Sequence, residues 1–276
     1  MELKRAIRER RSARHFAPDP IPEEHLLEIL DAACRAPSAC NRASWEVVVV
    51  TDREAKRKIS EAAIHQTFIS EAPVVLAFVG GSVADVAAAI QNALLMAHSL
   101  GYEGCWTGSM DREEVAKILG LPKGAKVHYL VPIGRPAEPL FDPGKRSPFE
   151  VAHFGRYGGR LKGQLEAALS ALREDTRRAL LEFERAHRLT KEEAQRTGRN
   201  DPLYRMEEKG AAFSFQHLVA RWNWLWEEWL YKAAPEASEV ARTSREVYDE
   251  YWRERARLLG RGDINDPDLV EHEREY

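Results

Sequence analysis

A chain of 276 residues, 44% apolar and 31% charged, is long enough to bury a core and too apolar to be disordered. Its net charge of -3 exerts no long-range pull on nucleic acid or an anionic membrane, which argues against a partner of either kind. The cysteines Cys34, Cys40 and Cys105 form no CxxC pair, so neither a disulfide framework nor a zinc signature is expected, and a reducing cytoplasm is the expected setting.

The chain opens MELKRAIRERR, charged from its second residue and without the apolar stretch of a secretory signal. A first helix is expected over Glu2–Arg10. Directly after it stands Arg10-Arg11-Ser12-Ala13-Arg14, three cations and a hydroxyl within five residues. Guanidinium forks pair with phosphate oxygens bidentately and serine adds a short hydrogen bond, although such a run is also what a solvated face looks like. Pro22, followed by two acids that suit a helix N-terminus, introduces a helix over Glu23–Arg35. Then comes Ala36-Pro37-Ser38-Ala39-Cys40-Asn41, where small residues allow a planar ligand close to the backbone and Asn41 both donates and accepts. An ordinary Pro-Ser-Asn loop has the same composition.

Strands rich in valine are expected over Glu46–Thr51, Pro73–Val79 and Val127–Ile133, with a shorter one around Cys105–Thr107. Helices are expected between them, over Asp52–Ala63, Val83–Leu100 and Arg112–Leu119. The helix Val83–Leu100 is apolar on nearly every face, which places it in a core or a subunit interface. No apolar run reaches the roughly 20 residues that span a bilayer. Gly104-Cys105-Trp106-Thr107-Gly108-Ser109 offers backbone amides and hydroxyls, and Lys145-Arg146, after Gly134-Arg135-Pro136-Ala137-Glu138, offers further cations. Interleaved strands and helices make this part an α/β or α+β layered domain.

The composition changes near residue 158. Beyond it the sequence turns to Ala, Leu, Glu and Arg, and helices are expected over Arg160–Arg188, Pro202–Ala233 and Ala237–Leu259. Domains are therefore expected at 1–158 and 159–276. At about 100° per residue, Phe215, Trp222, Trp226 and Trp229 share one helix face, while Trp224 points elsewhere. That face is read as a helical core, or else as a docking surface for a protein partner or an active-site lid. Glu184-Arg-Ala-His187 has the spacing used in di-iron bundles, but no second copy accompanies it, so no metal is expected.

In order, the pieces RRSARHF, APSACN, AAAIQNALLMAHSLGYEGCWTGS, EEVAKILGLP, VPIGRPAE and KRSPFEVAHFGRYG resemble the nitroreductase-like FMN-dependent oxidoreductase family over residues 1–158. The resemblance implies an α+β domain, a central sheet flanked by helices, in an intertwined homodimer with FMN at the interface, plus an all-α extension. It places Arg10, Arg11, Ser12 and Arg14 at the phosphate, ribityl chain and pyrimidine edge. It places Pro37, Ser38 and Asn41 in the loop against the ring system from the facing subunit. Thr107 and Gly108 fall near N5 and O4 of the flavin, with Thr107 tuning N5, and Arg146 falls on the phosphate. Two departures stand out. Ala43-Ser44-Trp45 replaces the Gln-Pro-Trp often found there, and Gly144 replaces a basic residue, with Lys145 as its substitute.

The function that follows is hydride transfer from NAD(P)H, the co-substrate, to a small organic acceptor such as a nitroaromatic or quinone, by a ping-pong mechanism. Dehalogenation, enone reduction or oxidation on the same module remain open, as does a degenerate flavin-bearing dimer whose extension recruits a partner.

Overall fold

The computed structural model describes residues 1–140, 142, 144–178, 181 and 221, and it divides into two compact units, Met1–Leu140 and Phe141–Tyr276. The tryptophan-bearing face, the Glu184/His187 pair and the helices expected over Pro202–Ala233 and Ala237–Leu259 lie outside the described residues, Arg221 excepted.

The first unit runs α1 (Leu3–Glu9), α2 (Glu23–Cys34), a short 3-10 turn (Ala39–Asn41), β1 (Trp45–Val50), α3 (Arg53–Ala62), α4 (Thr67–Glu71), β2 (Val74–Gly80), α5 (Val83–Ser99), β3 (Glu103–Gly104), α6 (Arg112–Ile118) and β4 (Val127–Gly134). The helix starts are set by side chains that accept otherwise unpaired amides. Asp52 accepts from Ala55, Ser82 from Asp85, and Asp111 from Glu113 and Glu114.

The four strands form one antiparallel sheet in the order β1-β2-β4-β3. Its second strand is the fulcrum of the core. Val74, Leu76 and Phe78 point to one face, against Ile29 and Ala33 of α2 and Val86, Ile90 and Ala93 of α5. Val75, Ala77 and Val79 point to the other, against Ile59 of α3, Ile69 of α4 and Val115 of α6. Side chains alternate across a strand, so a strand covered on both faces reads as one continuous apolar run. Each large apolar side chain so buried contributes about 1.5–3 kcal/mol. The α+β layered class expected from the sequence is the one observed, and α5 sits in the core.

The differences are local. The short strand forms at Glu103–Gly104 rather than around Cys105–Thr107, and Thr107 makes only an isolated bridge to Leu130. The two-residue strand pairs with the end of β4, where Gly104 lies opposite Ile133; a Cβ at Gly104 would fall 2.7 Å from Leu94 Cδ2. Only glycine lets the chain pass there. The five-residue α4 has no counterpart in the sequence expectations.

In the second unit, α7 (Pro148–Val151) is followed by a helix over 164–178, which we call α8. This helix lies within the stretch expected to be helical from Arg160 on, and its Ala168 and Leu172 are fully buried. No helix among the described residues is long and apolar enough to cross a membrane.

Candidate functional site

The chain leaves α1 at Arg10 and continues to Ala17 with a bend at Arg14 and His15. It is fixed at four points by partners distant in sequence. The Arg11 amide donates to Glu103 Oε2 at 3.2 Å, and Ser12 pairs in parallel with Gly104. Further on, the His15 carbonyl accepts the Ala137 amide, and the Ala17 amide donates to the Arg135 carbonyl at 2.9 Å. Ala13, fully buried, and Phe16, 8% exposed, anchor the segment from below. The Arg10, Arg11 and Arg14 side chains are thereby half-buried and Ser12 is exposed.

Arg11 does a second job. Its Nη1 turns back to the Arg8 and Arg10 carbonyls at 2.5 and 3.0 Å, satisfying acceptors at the C-terminus of α1. Beneath the segment, Glu103 and His98 form a pair that the sequence reading did not single out. His98 Nδ1 lies 2.6 Å from Glu103 Oε1, with the two side chains 12% and 7% exposed. Burial pushes the Glu103 carboxyl above its ordinary value, while the His98 ring, the Arg11 amide and the Arg10 charge pull it back. The available signal was an acid standing in an otherwise apolar strand position, five residues after a histidine.

The segment expected near the flavin N5 follows immediately. Thr107 is 4% exposed; its backbone exchanges hydrogen bonds with Leu130 at 2.9 Å, and its hydroxyl donates to Cys105 Sγ at 3.9 Å. Gly108 is half-buried, and a Cβ there would come within 3.3 Å of the Tyr129 ring. Trp106 meets that same ring edge-on, with centroids 5.2 Å apart. Cys105 is buried, whereas Cys34 and Cys40 are exposed.

The loop after α2 carries Pro37, Ser38 and Asn41. Ser38 Oγ accepts the Ala43 amide at 2.9 Å, and the Asp85 carboxylate at the start of α5 accepts the Ala39 amide at 3.1 Å. Cys40, Asn41 and Ala43 have φ of 53°, 54° and 41°, a left-handed conformation that costs non-glycine residues free energy. Pro37 and Asn41 are exposed and Ser38 is half-buried. The departure at Ala43-Ser44 thus falls on a strained turn held by two named hydrogen bonds.

The structure therefore brings the first and third candidate segments together along Glu103–Gly104. Lys145 and Arg146 belong to the second unit, where both are exposed. There Gly144 has φ of +72°, and a Cβ on it would lie 3.2 Å from the Asp175 carboxyl carbon, which explains why no basic side chain stands at that position. Two shallow grooves on the first unit, one lined by Asp52, Lys58, Glu114 and Ile118 and one by Arg53, Arg57, Ser70 and Glu71, contain none of the candidate residues.

A flavin mononucleotide needs cations and a hydroxyl for its phosphate and polar edge, and a close-approaching backbone for its ring. The half-buried guanidinium side chains with the exposed Ser12, on a backbone locked to Glu103–Gly104, suit the first requirement. Gly108 and the left-handed loop 40–43 suit the second.

Residues 7–82 and 80–135 match the model of the Nitroreductase family. The chain is 34% identical over 163 residues to a Methanothermobacter thermautotrophicus protein named for NADH dehydrogenase and NAD(P)H nitroreductase activities, covering 54% of this chain and 84% of that protein. It is 39% identical over 77 residues to the FMN reductase [NAD(P)H] of Bacillus subtilis, covering 28% of this chain and 31% of that one. An FMN-dependent nitroreductase from Clostridium difficile superposes with a TM-score of 0.51 at 24% identity, over 55% of this chain and 98% of its own, a likeness of fold.

Proposed function

The chain belongs to the nitroreductase family, and from that premise we propose that it is an FMN-dependent, NAD(P)H-oxidising enzyme whose residues 1–158 act as a homodimer on a small organic acceptor. The observation that carries the reading is the junction at Glu103–Gly104. Two segments some 90 residues apart, one cationic and one rich in backbone donors, meet there through the Arg11 amide and the Ser12 bridge. The name of the FMN reductase relative supports the same cofactor.

In this reading Arg10, Arg11, Ser12 and Arg14 hold the phosphate, ribityl chain and pyrimidine edge, joined by Lys145 and Arg146. Pro37, Ser38 and Asn41 of a second protomer cover the ring system, while Thr107 and Gly108 lie at its reactive edge. Bound FMN supplies the hydride chemistry, accepting from the nicotinamide and delivering to the acceptor. The protein residues contribute position and charge. Arg10 and Arg14 stabilise negative charge that develops at the pyrimidine edge, as preorganised cations do. The Glu103 carboxylate behind them fixes the backbone on which they stand.

One exposed face serves both reactants in turn, so the nicotinamide departs before a nitroaromatic or quinone enters. Steady-state rates measured against varied NADH or NADPH at several fixed quinone concentrations then give parallel double-reciprocal lines. Intersecting lines would show both substrates bound together and would remove the shared-face reading.

A further inference from the structure

The second unit contains an ion-pair cluster that the proposed chemistry does not use. Arg221 is 1% exposed, and Glu150, on α7, is fully buried. The two meet side by side: Arg221 Nε donates to Glu150 Oε1 and Nη2 to Glu150 Oε2, both at 2.8 Å. The remaining Arg221 nitrogen, Nη1, donates to Asp175 Oδ2 of α8 at 2.6 Å. Arg178 also pairs with Asp175 and lies 3.9 Å from Asp142. A guanidinium that uses its planar fork on one carboxylate and its last edge on a second is a fixed joint, not a floating charge.

Glu150 passes that constraint to Arg146. Its Oε2 accepts the Ser147 amide at 2.6 Å, and its carbonyl accepts Arg146 Nη2 at 3.2 Å. One buried glutamate thus grips the backbone on one side of Arg146 and the guanidinium of Arg146 itself. The same short helix is held from below by Gln164, 2% exposed, whose Nε2 donates to the Phe149 and Ala152 carbonyls, both at 2.9 Å. Arg160 Nη1 adds a bond to the Ala152 carbonyl at 3.0 Å. Gln164, Asp175 and Arg221 all come from beyond residue 158. Every fixing contact of the 146–152 segment just described, apart from those internal to it, is made by the extension.

We infer that the extension beyond residue 158 is a brace for the Arg146 arm, with Arg221 as the positioning residue that holds Glu150, and through it Arg146, in the geometry that receives the cofactor phosphate. The inference rests on the reading of Arg146 as a phosphate contact. A buried ion pair is weak evidence of a stability role, because apolar residues of similar volume commonly serve stability as well. Its distinctive property is directional. Without Arg221 the fully buried Glu150 carboxylate loses both guanidinium hydrogen bonds that seat it and is left as an uncompensated charge, so its hold on the Ser147 amide, the backbone next to Arg146, is released.

Comparing FMN with riboflavin, which lacks the phosphate, separates positioning from general support. Dissociation constants of both flavins are measured on the full-length apoprotein by fluorescence quenching, for the wild type, Arg146→Ala, Arg221→Met and the double variant. The brace predicts that Arg221→Met weakens FMN by about tenfold or more and changes riboflavin by less than about twofold. It further predicts that Arg146→Ala does the same and that the double variant is no worse than either single one, as coupled residues behave. Arg221→Lys, which keeps the charge and loses the fork, falls between; it also serves if Arg221→Met does not fold. Inorganic phosphate should compete with FMN on the wild type and lose that competition in the Arg221 variants.

Equal weakening of FMN and riboflavin by the Arg221 variants, with Arg146→Ala still selective for FMN, overturns the brace and leaves the phosphate reading intact. An Arg146→Ala variant that treats both flavins as the wild type does overturns the phosphate reading, and the brace with it.

Discussion

His98 Nδ1 lies 2.6 Å from Glu103 Oε1, and the other oxygen of that carboxylate holds the Arg11 amide at the head of the cationic segment. A histidine in the last turn of α5 is thereby connected, through one buried acid, to the backbone between Arg10 and Ser12.

This pair gives stability a definite pH dependence. Burial, opposed by His98, the Arg11 amide and Arg10, leaves the folded-state pKa of Glu103 above its ordinary value of 4.5. The contribution of the protonated acid is therefore fully present below that value and is lost as pH rises through the raised one, since the unfolded chain releases the proton first. Glu103→Gln cannot ionise. Its stability relative to the wild type should increase as pH is raised above 4.5, as read from thermal unfolding at a series of pH values. A constant difference between the two proteins across that series would dismiss the linkage. Glu103→Ala, which leaves the Arg11 amide without its acceptor and the His98 ring without its hydrogen-bond partner, should cost about 1–3 kcal/mol.

Much of the framework was readable because it depends on local pattern. The Val-rich run of β2 is buried on both faces and was legible as a buried strand; the near-uniform apolarity of α5 announced a core helix. The five residues of α4 were too few to show a helical period. The cationic segment and the Gly104–Ser109 segment were each visible, and their meeting along Glu103 is a contact across 92 positions. Glu150 and Arg221 escaped notice for the same reason, whereas Glu103 and His98, five positions apart, left only the faint local signal of an acid after a histidine. An isolated acid or arginine has no signature until its partner, 71 positions away in the Glu150–Arg221 case, is known.

Gly144 should resist substitution. With φ of +72° and the Asp175 carboxyl 3.2 Å from an added Cβ, Gly144→Ala combines backbone strain with a crowded acceptor. The expected loss is about 1–3 kcal/mol in chemical denaturation, larger than that of Gly124→Ala, where no atom lies within 4 Å of an added Cβ although φ is also positive. Equal losses at the two positions would mean that Asp175 does not constrain the turn.

Thr107→Val tests the tuning role at the reactive edge. The hydroxyl is buried and its partner, Cys105 Sγ at 3.9 Å, is a weak acceptor, so an isosteric replacement should leave the melting temperature within about 2 °C. The reduction potential of the bound flavin, followed in an anaerobic spectroelectrochemical titration, should shift nonetheless. An unchanged potential in a folded variant would remove Thr107 from the site.

The loop that carries Pro37, Ser38 and Asn41 should loosen when its outside support is cut. Asp85→Ala removes the acceptor of the Ala39 amide at an exposed position, so stability should fall by no more than about 1 kcal/mol. Flavin affinity should fall for FMN and riboflavin alike, because the proposed function sets this loop against the ring system and not the phosphate. A selective loss of FMN would place the loop at the wrong end of the ligand.

The central claim is that the chain binds FMN and that NAD(P)H reduces it there. The most direct measurement is the visible spectrum of the purified full-length protein after incubation with FMN and removal of the excess, followed by anaerobic titration with NADH and with NADPH. Retained flavin absorption that bleaches stoichiometrically with at least one nicotinamide is the predicted result. A protein that keeps no flavin, or keeps it and stays yellow with both nicotinamides, contradicts the account.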